Sequence, residues 1–355
     1  MTAAAAAWLA ALTPAQRAKA ARPFAGTAER LRWYYTPTEQ DGLPLGEMGP
    51  AVQRHAHRLL ASGLSAPGYA LAATVMGLEN VLDAAEGWTM PYPGRSESAR
   101  GRDPQMYFFT VFGNPGDRAW GWRVCGHHFA VNHAVLSGRA VAGPLFIGAS
   151  PARSDLAGTI LRPLSAAEDS ARRLLSALDP GQREMAVLSA HPPPDIVQAN
   201  RPVVDPGALP LPLWQLFGTP LPAHVVETMR SGDTALRAEL GVTDATLGAL
   251  RLGTAPKGLA GASMGAQQQA LMRDLIGHYL DRLPDEIAED YTKRLRGASL
   301  AAAHFAWAGA ASPGAPHYYR VQAPSLLIEY SNTQDGANHA HSVWRDPDGE
   351  FAPAG

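Results

Sequence analysis

The sequence predicts an α+β fold in which one antiparallel sheet or barrel is surrounded by helices. The first hundred residues carry apolar side chains at helical spacing, whereas 106–148 and 300–345 are rich in aromatic and β-branched residues broken by turns. Both strand-rich segments carry histidine clusters, so we expect their strands to form one sheet. We see no repeat and no domain-splitting linker, which predicts a single α+β domain over 1–355.

The predicted helices follow from apolar periodicity and capping signals. Thr13-Pro14 is an N-cap and first-turn pair, and Ser165 precedes Glu168 at the spacing of a capping box. We predict helices at about 3–12, 14–22, 48–62, 67–85, 165–178, 181–190, 264–283 and 284–297. The proline-rich stretch 191–222 is predicted to be an extended surface connection.

The predicted strands fall into two groups separated by turn residues. The first group is 106–112, 119–125, 127–136 and 141–147, and the second is 301–309, 317–322, 325–331 and 339–345. Thr333-Gln334-Asp335-Gly336 supplies the last hairpin connection.

Composition excludes several classes of partner. The net charge is -2 and no basic run or nucleic-acid motif is present, which argues against a polyanion partner. The apolar run from Ala3 to Leu12 is far shorter than the roughly 18 residues of a membrane helix. The one cysteine, Cys125, fits a reducing compartment. We therefore expect a cytoplasmic protein with a small-molecule substrate and no nucleic-acid or membrane partner; the sequence leaves the oligomeric state open.

Two short segments, 126–133 and 338–341, hold five of the twelve histidines and indicate a metal site. Imidazole is the commonest metal ligand in proteins. His339 and His341 are two residues apart on a predicted strand, so their rings share one face about 6.6 Å apart along the backbone. The pattern predicts a site for one divalent ion, which could be zinc, iron or copper.

The first cluster offers two adjacent candidates, His127 and His128. On a strand their side chains point to opposite faces. His128 shares its face with Asn132, a polar residue suited to a substrate contact, so we assign His128 as a ligand and His127 as a supporting one. His133 lies too far along a straight strand to share the same ion and is predicted to be a surface residue.

Glu329 is the predicted carboxylate of the site. It lies in an apolar strand that precedes His339 across a probable hairpin, and cross-strand neighbours are about 5 Å apart. A carboxylate there is costly unless it is paired or bound to a metal, so Glu329 is expected to be a ligand or a general base.

Further candidates come from the same C-terminal strands. Catalytic roles are assigned to His304, His317 and Arg320, and substrate contacts to Arg345, Trp307, Tyr319 and Asn132. An arginine could hold a substrate carboxylate by two hydrogen bonds, and the aromatic residues suit a stacked substrate.

Three functions remain open on these residues. The leading one is a metalloenzyme in which His128, His339 and His341 hold an ion that activates water for hydrolysis. The second is a non-haem iron or copper oxidoreductase that uses the same histidines. The third is a ligand-binding protein whose metal is structural. No Gly-x-Ser-x-Gly elbow, His-Glu-x-x-His helix, Walker loop or dinucleotide fingerprint is present.

Several motifs together resemble a bacterial and fungal family catalogued as a domain of unknown function, numbered three thousand five hundred. They are Arg32-Trp33-Tyr34-Tyr35-Thr36-Pro37, Met76-Gly77-Leu78-Glu79, Arg102-Asp103-Pro104, Gly126-His127-His128, His304-Phe305-Ala306-Trp307-Ala308-Gly309, His317-Tyr318-Tyr319-Arg320, Glu329-Tyr330-Ser331-Asn332-Thr333-Gln334 and Asn338-His339-Ala340-His341-Ser342-Val343-Trp344-Arg345-Asp346. The resemblance runs along nearly the whole chain and implies a complete member of that family. It implies no particular activity, so the predicted site depends on the residues themselves.

Overall fold

The structure is a computed structural model that describes residues 1–26, 28–93, 95–96 and 98–352. Within these residues, twelve strands form one mostly antiparallel sheet and two more form a separate hairpin. The strands are β1 Ala21–Arg22, β2 Leu43–Pro44, β3 Phe108–Phe112, β4 Ala119–Gly126, β5 Phe129–Leu136, β6 Arg139–Ala149, β7 Ser154–Leu156, β8 Thr159–Leu161, β9 Val187–Ser189, β10 Leu259–Ala260, β11 His304–Gly309, β12 His317–Ala323, β13 Leu326–Gln334 and β14 His339–Arg345.

Helices fill the intervals between the strand groups. They are α1 Thr2–Ala10, α2 Pro14–Ala20, α3 Pro50–Ser62, α4 Ala66–Ala85, α5 Ser165–Ser176, α6 Pro180–Ala186, α7 Ala223–Glu239, α8 Asp244–Leu250, α9 Ala266–Leu280, α10 Asp285–Arg294 and α11 Ala298–Ala302. Thr13 caps α2 as predicted, since its side chain accepts from the Gln16 backbone N–H. Ser165, by contrast, is already the first helical residue of α5 and makes no capping box. None of the described helices is both long and apolar enough to cross a bilayer.

The sheet joins the two strand groups at one place. Its order is β1-β3-β4-β5-β6-β14-β13-β12-β11-β10, with β2 added to β3 and β9 added to β11. β14 pairs antiparallel with β6, so that His341 lies opposite Gly148. The α+β class is therefore confirmed. The sheet is open, which makes the barrel alternative wrong: β1 and β10 at its two ends are short and do not pair with each other.

The sheet packs apolar residues on both faces. The largest core contains Trp8, Trp120, Tyr279, Phe305 and Trp344, among many others, and involves α1, α3, α4, α5 and α9. A smaller cluster forms around Trp33, Tyr35, Cys125, Phe146 and Ile196. Cys125 is fully buried there, as expected of a small apolar residue, and burial raises the pKa of its thiol to about 11. The histidines described below border this smaller cluster.

Helices α7 and α8, within 223–250, were not predicted from the sequence. No residue of α7 is fully buried, so its apolar side chains do not mark a strong periodic core face. The segment from 191 to 222 contains no helix or strand longer than the 3₁₀ turn Leu213–Gln215, but residues 192–199 are buried, so the prediction that this connection lies on the surface is wrong there. The assignment of 1–355 to a single domain stays a prediction.

Substitution of Gly68 tests how closely α4 packs against the segment that follows α9. A Cβ at residue 68 would lie 2.2 Å from the backbone oxygen of Arg282, whereas a Cβ at Gly77 of the same helix would meet nothing within 4 Å. We expect Gly68→Ala to lower the free energy of unfolding by about 1–3 kcal/mol, because the backbone of 282 must move. Gly77→Ala should leave stability unchanged or raise it by up to about 1 kcal/mol. Urea denaturation measures both; equal effects would contradict this packing.

Candidate metal centre

His127 and His128 form the turn of the hairpin between β4 and β5. Gly126 pairs with Phe129, so the loop between these strands contains only the two histidines. The prediction that both lie on a strand and face opposite ways is therefore wrong. Their rings contact each other instead, with centroids 3.8 Å apart and a tilt of 30° between the ring planes. His128 has a φ of +60°, a conformation that costs a non-glycine residue energy and recurs at functional sites.

His339 and His341 project from β14 towards this turn. The predicted two-residue spacing on one strand is confirmed. Gly148, on the neighbouring β6, leaves room for the rings: a Cβ there would lie 2.9 Å from His128 Cδ2 and 3.2 Å from His341 Cδ2. The Gly148 N–H also donates to the His128 carbonyl oxygen at 2.7 Å, which ties the turn to β6.

Three imidazole nitrogens converge at this point. His339 Nε2 lies 2.7 Å from His128 Nε2 and 3.1 Å from His341 Nε2. One nitrogen from each ring lies within 4.8 Å of the others, the spacing of a possible metal-ligand set. Two neutral rings cannot face each other with unprotonated nitrogens at such distances without repulsion. A proton or a cation between them removes that repulsion.

Carboxylates fix the orientation of two of the rings. Asp195 Oδ1 lies 2.6 Å from His341 Nδ1, and Asp335 Oδ2 lies 2.9 Å from His339 Nδ1. Because a carboxylate accepts, each Nδ1 donates its proton and each Nε2 keeps a free electron pair. This is the usual arrangement around metal-binding histidines. Tyr35 in turn donates its hydroxyl to Asp195 Oδ2 at 3.1 Å.

Burial disfavours the protonated form of His128 and of His339. His128 and His341 are 2% and 5% exposed, and the His339 side chain is 17% exposed. Desolvation lowers the pKa of His128 well below 6.5 and also lowers the pKa of His339. Protons therefore compete weakly with a metal ion for these nitrogens near neutral pH.

A second group shares His128. Glu79 on α4, His127 and His128 also offer ligand atoms within 4.8 Å of one another, and all three residues are buried. His127 Nδ1 lies 2.9 Å from Glu79 Oε1. Burial raises the pKa of Glu79 to about 8 and lowers the pKa of His127 well below 6.5. Tyr107 donates its hydroxyl to the His127 carbonyl at 2.8 Å, which holds the turn in place.

Glu329 is not part of either group, so its assignment as a ligand or base is corrected. It lies on the same face of the sheet as His341, but it pairs with Val343 rather than with a histidine. Its carboxylate accepts from the backbone N–H groups of Val197 and Gln198 at 2.7 and 3.0 Å, and from the Tyr318 hydroxyl at 2.7 Å. These three donors stabilise the buried charge without a metal.

The predicted catalytic histidines lie elsewhere. His304 begins β11, three strands and roughly 14 Å from β14, and its Nδ1 bonds to the Ala302 carbonyl. His317 lies on the opposite face of the sheet from His341 and stacks on Trp307. His133, predicted to be a surface residue, is 3% exposed and stacks on Trp122.

The residues that were predicted to contact the substrate make their contacts with other protein groups in the interior. Asn132 Nδ2 donates to the Pro144 carbonyl, and the Tyr319 hydroxyl contacts that of Tyr279. Trp307 pairs with Tyr319 on the face away from His341. Arg345 forms an ion pair with Glu350.

Arg320 lies directly opposite Glu329 and donates to the Leu250 carbonyl. Within the described parts of the chain, neither Arg320 nor Arg345 contacts the histidine cluster.

Sequence reasoning missed Asp195 and Glu79. Asp195 follows three prolines in a connection that was predicted to lie on the surface, yet it is 5% exposed. Glu79 lies in one of the motifs that carry the family resemblance, an acidic residue on a helix face otherwise rich in apolar side chains. An acidic residue among apolar neighbours is costly to bury without a partner, and this is the sequence signal that could have identified both residues.

We expect Asp195→Asn to weaken metal binding roughly 10–100-fold, as loss of an orienting carboxylate usually does. Asp335→Asn is the matched control, because its side chain is 68% exposed and water can replace it. Its effect on affinity should be smaller. Competition with a chromogenic chelator measures both constants. Equal affinities of Asp195→Asn and the wild type would contradict the orienting role.

Comparison with known proteins supports the family and no specific activity. The family described as "Protein of unknown function (DUF3500)" matches residues 1–353 of the 355-residue chain. No curated protein and no solved structure matches the chain. The match extends over nearly the full length, as the resemblance of the motifs predicted. The chain therefore belongs to this family of proteins of unknown function.

Proposed function

We propose that the protein is a metal-dependent enzyme that hydrolyses a small organic molecule with a metal-activated water. One observation carries the proposal: imidazole nitrogens of the buried His128 and His341 and of the half-buried His339 lie within 4.8 Å of one another. Three histidines with one position open for water is a catalytic zinc pattern, whereas a structural zinc site has four protein ligands.

The protein groups around the centre have distinct tasks. His339 and His341 present Nε2 because Asp335 and Asp195 hold the protons on Nδ1. Tyr35, whose pKa burial raises well above 10, remains a hydrogen-bond donor to Asp195 and prevents that carboxylate from turning away. The bound ion would supply Lewis acidity and lower the pKa of a coordinated water to about 7.

A cavity that borders Asp195 offers space for a small, largely apolar molecule. It has a volume of about 130 Å³, and Asp195, Asp233 and Gln334 contribute its polar side chains. The apolar part of its wall is formed by Leu211, Leu213, Leu216, Met229 and Leu236. Asp195 lines the cavity and also contacts Nδ1 of His341, so a molecule bound there would lie against the carboxylate that orients this ring.

Oxidation is the second candidate. With Glu329 excluded, the ligand set of the first group contains imidazoles alone, and three imidazoles suit copper. The ring of Tyr35 lies 5.1 Å from that of His341, which places a redox-capable phenol beside the centre. The identity of the metal separates the two chemistries.

His341→Ala tests the proposal. We expect this variant to lose the metal while the metal-free protein unfolds at nearly the wild-type temperature, since an ion on a preformed sheet is not needed to build the core. His304→Ala is the matched control, because that imidazole lies outside the cluster, and it should keep its metal. Elemental analysis and thermal unfolding, each with and without a chelator, give the readout.

Three results would count against the proposal. Full metal occupancy in His341→Ala would remove His341 from the ligand set. Unfolding of the wild type by a chelator at room temperature would identify a structural ion. Copper or iron in place of zinc would favour oxidation over hydrolysis.

A further inference from the structure

Glu79 and His127 form a second group of candidate ligands that shares His128 with the three-histidine centre. We propose that they form a second cation position and that His128 is shared by two ions. The proposal extends the one-ion centre of the proposed function, with which it has only His128 in common. The first ion would have three imidazole ligands, and the second would have two imidazoles and one carboxylate.

The donor atoms of the second position are already close together. Glu79 Oε1 and Oε2 lie 2.9 and 3.1 Å from His127 Nδ1, so the carboxylate spans that nitrogen. Glu79, His127 and His128 each have one ligand atom within 4.8 Å of the other two. Their exposed fractions are 2%, 8% and 2%, so the position is shielded from bulk water.

Burial raises the pKa of the Glu79 carboxyl to about 8, and the neighbouring residues do not supply a full counter-charge for its ionised form. Arg102 is near enough to act on Glu79 electrostatically, but its guanidinium makes two 2.8 Å hydrogen bonds to Glu86. Glu79 pairs with His127, whose ring is positive only when it is protonated. A divalent ion between the carboxylate and the two rings would neutralise the charge directly.

His128 has the geometry of a shared ligand. Its Nε2 faces His339, which leaves Nδ1 for the second ion. The turn conformation, with a φ of +60° at His128, brings this ring into contact with that of His127, with centroids 3.8 Å apart and a tilt of 30°. Binding at both nitrogens requires the N–H proton of His128 to leave. The second ion displaces that proton to solvent, and no electron transfer is involved.

The alternative for Glu79 is a purely orienting role, in which it holds the His127 ring as Asp195 holds His341. That role predicts one ion in the wild type and an unchanged metal count when Glu79 is replaced. The two hypotheses therefore predict different numbers of bound metal ions per chain, and this number can be measured without knowledge of the substrate.

The test counts Zn²⁺ bound to the full chain by equilibrium dialysis and elemental analysis. We expect two ions in the wild type, one in Glu79→Gln and a reduced count in His341→Ala. Asp83→Asn is the matched control, because Asp83 is a buried carboxylate one turn further along α4 that pairs with Arg100. It should retain two ions.

The outcomes separate the second position from the proposed centre. One ion that is lost in His341→Ala and retained in Glu79→Gln overturns the second position and leaves the three-histidine centre intact. One ion that is lost only in Glu79→Gln overturns the three-histidine centre instead. A count of two in Glu79→Gln shows that Glu79 is not a ligand.

Electron paramagnetic resonance of wild-type protein loaded with Cu²⁺ tests the sharing of His128 without any substitution. Two Cu²⁺ ions joined by one imidazole should couple, and the integrated signal should fall below two spins per chain at low temperature. Glu79→Gln should give one uncoupled Cu²⁺. Two uncoupled Cu²⁺ spins in the wild type would overturn the shared ligand.

Discussion

Three imidazole nitrogens that face one another inside a protein are stable together only when a proton or a cation lies between them. In this chain the nitrogens belong to His128, His339 and His341, and hydrogen bonds from Nδ1 to carboxylates orient two of the rings inward. Burial disfavours protonation of His128 and His339, which is why the proposed function assigns the space between the rings to a metal ion.

The histidine cluster depends on how the sheet is assembled from its two strand groups. His128 comes from the hairpin of the first strand group and the other two histidines come from the last strand, more than two hundred residues later. The β6–β14 ladder brings them into contact, and Gly148 on β6 provides the space that both rings occupy. The constraint is steric as well as electrostatic, because any side chain at residue 148 would displace an imidazole.

The sequence was sufficient for the α+β class, for most strands and helices, and for the histidines of the cluster, because period-two spacing places His339 and His341 on one face whatever the tertiary structure. The sequence did not predict the turn between β4 and β5. Gly126-His127-His128-Phe129 lacks the Asn-Gly or Asp-Gly signal of a two-residue hairpin, so a continuous strand was the natural interpretation. It was also insufficient for side-chain partners. Asp195 and Glu79 reach the rings across long sequence separations, and Glu329 is captured by backbone donors that no local pattern reveals.

Anomalous diffraction from crystals of the metal-loaded protein tests the central claim most directly. Data collected at the absorption edge of the bound metal locate it independently of the protein atoms. We predict an ion within roughly 2.0–2.2 Å of Nε2 of His128, His339 and His341, with Nδ1 of His341 still on Asp195. An ion bound away from these three nitrogens, or rings that turn their Nε2 atoms apart in the loaded protein, would contradict it.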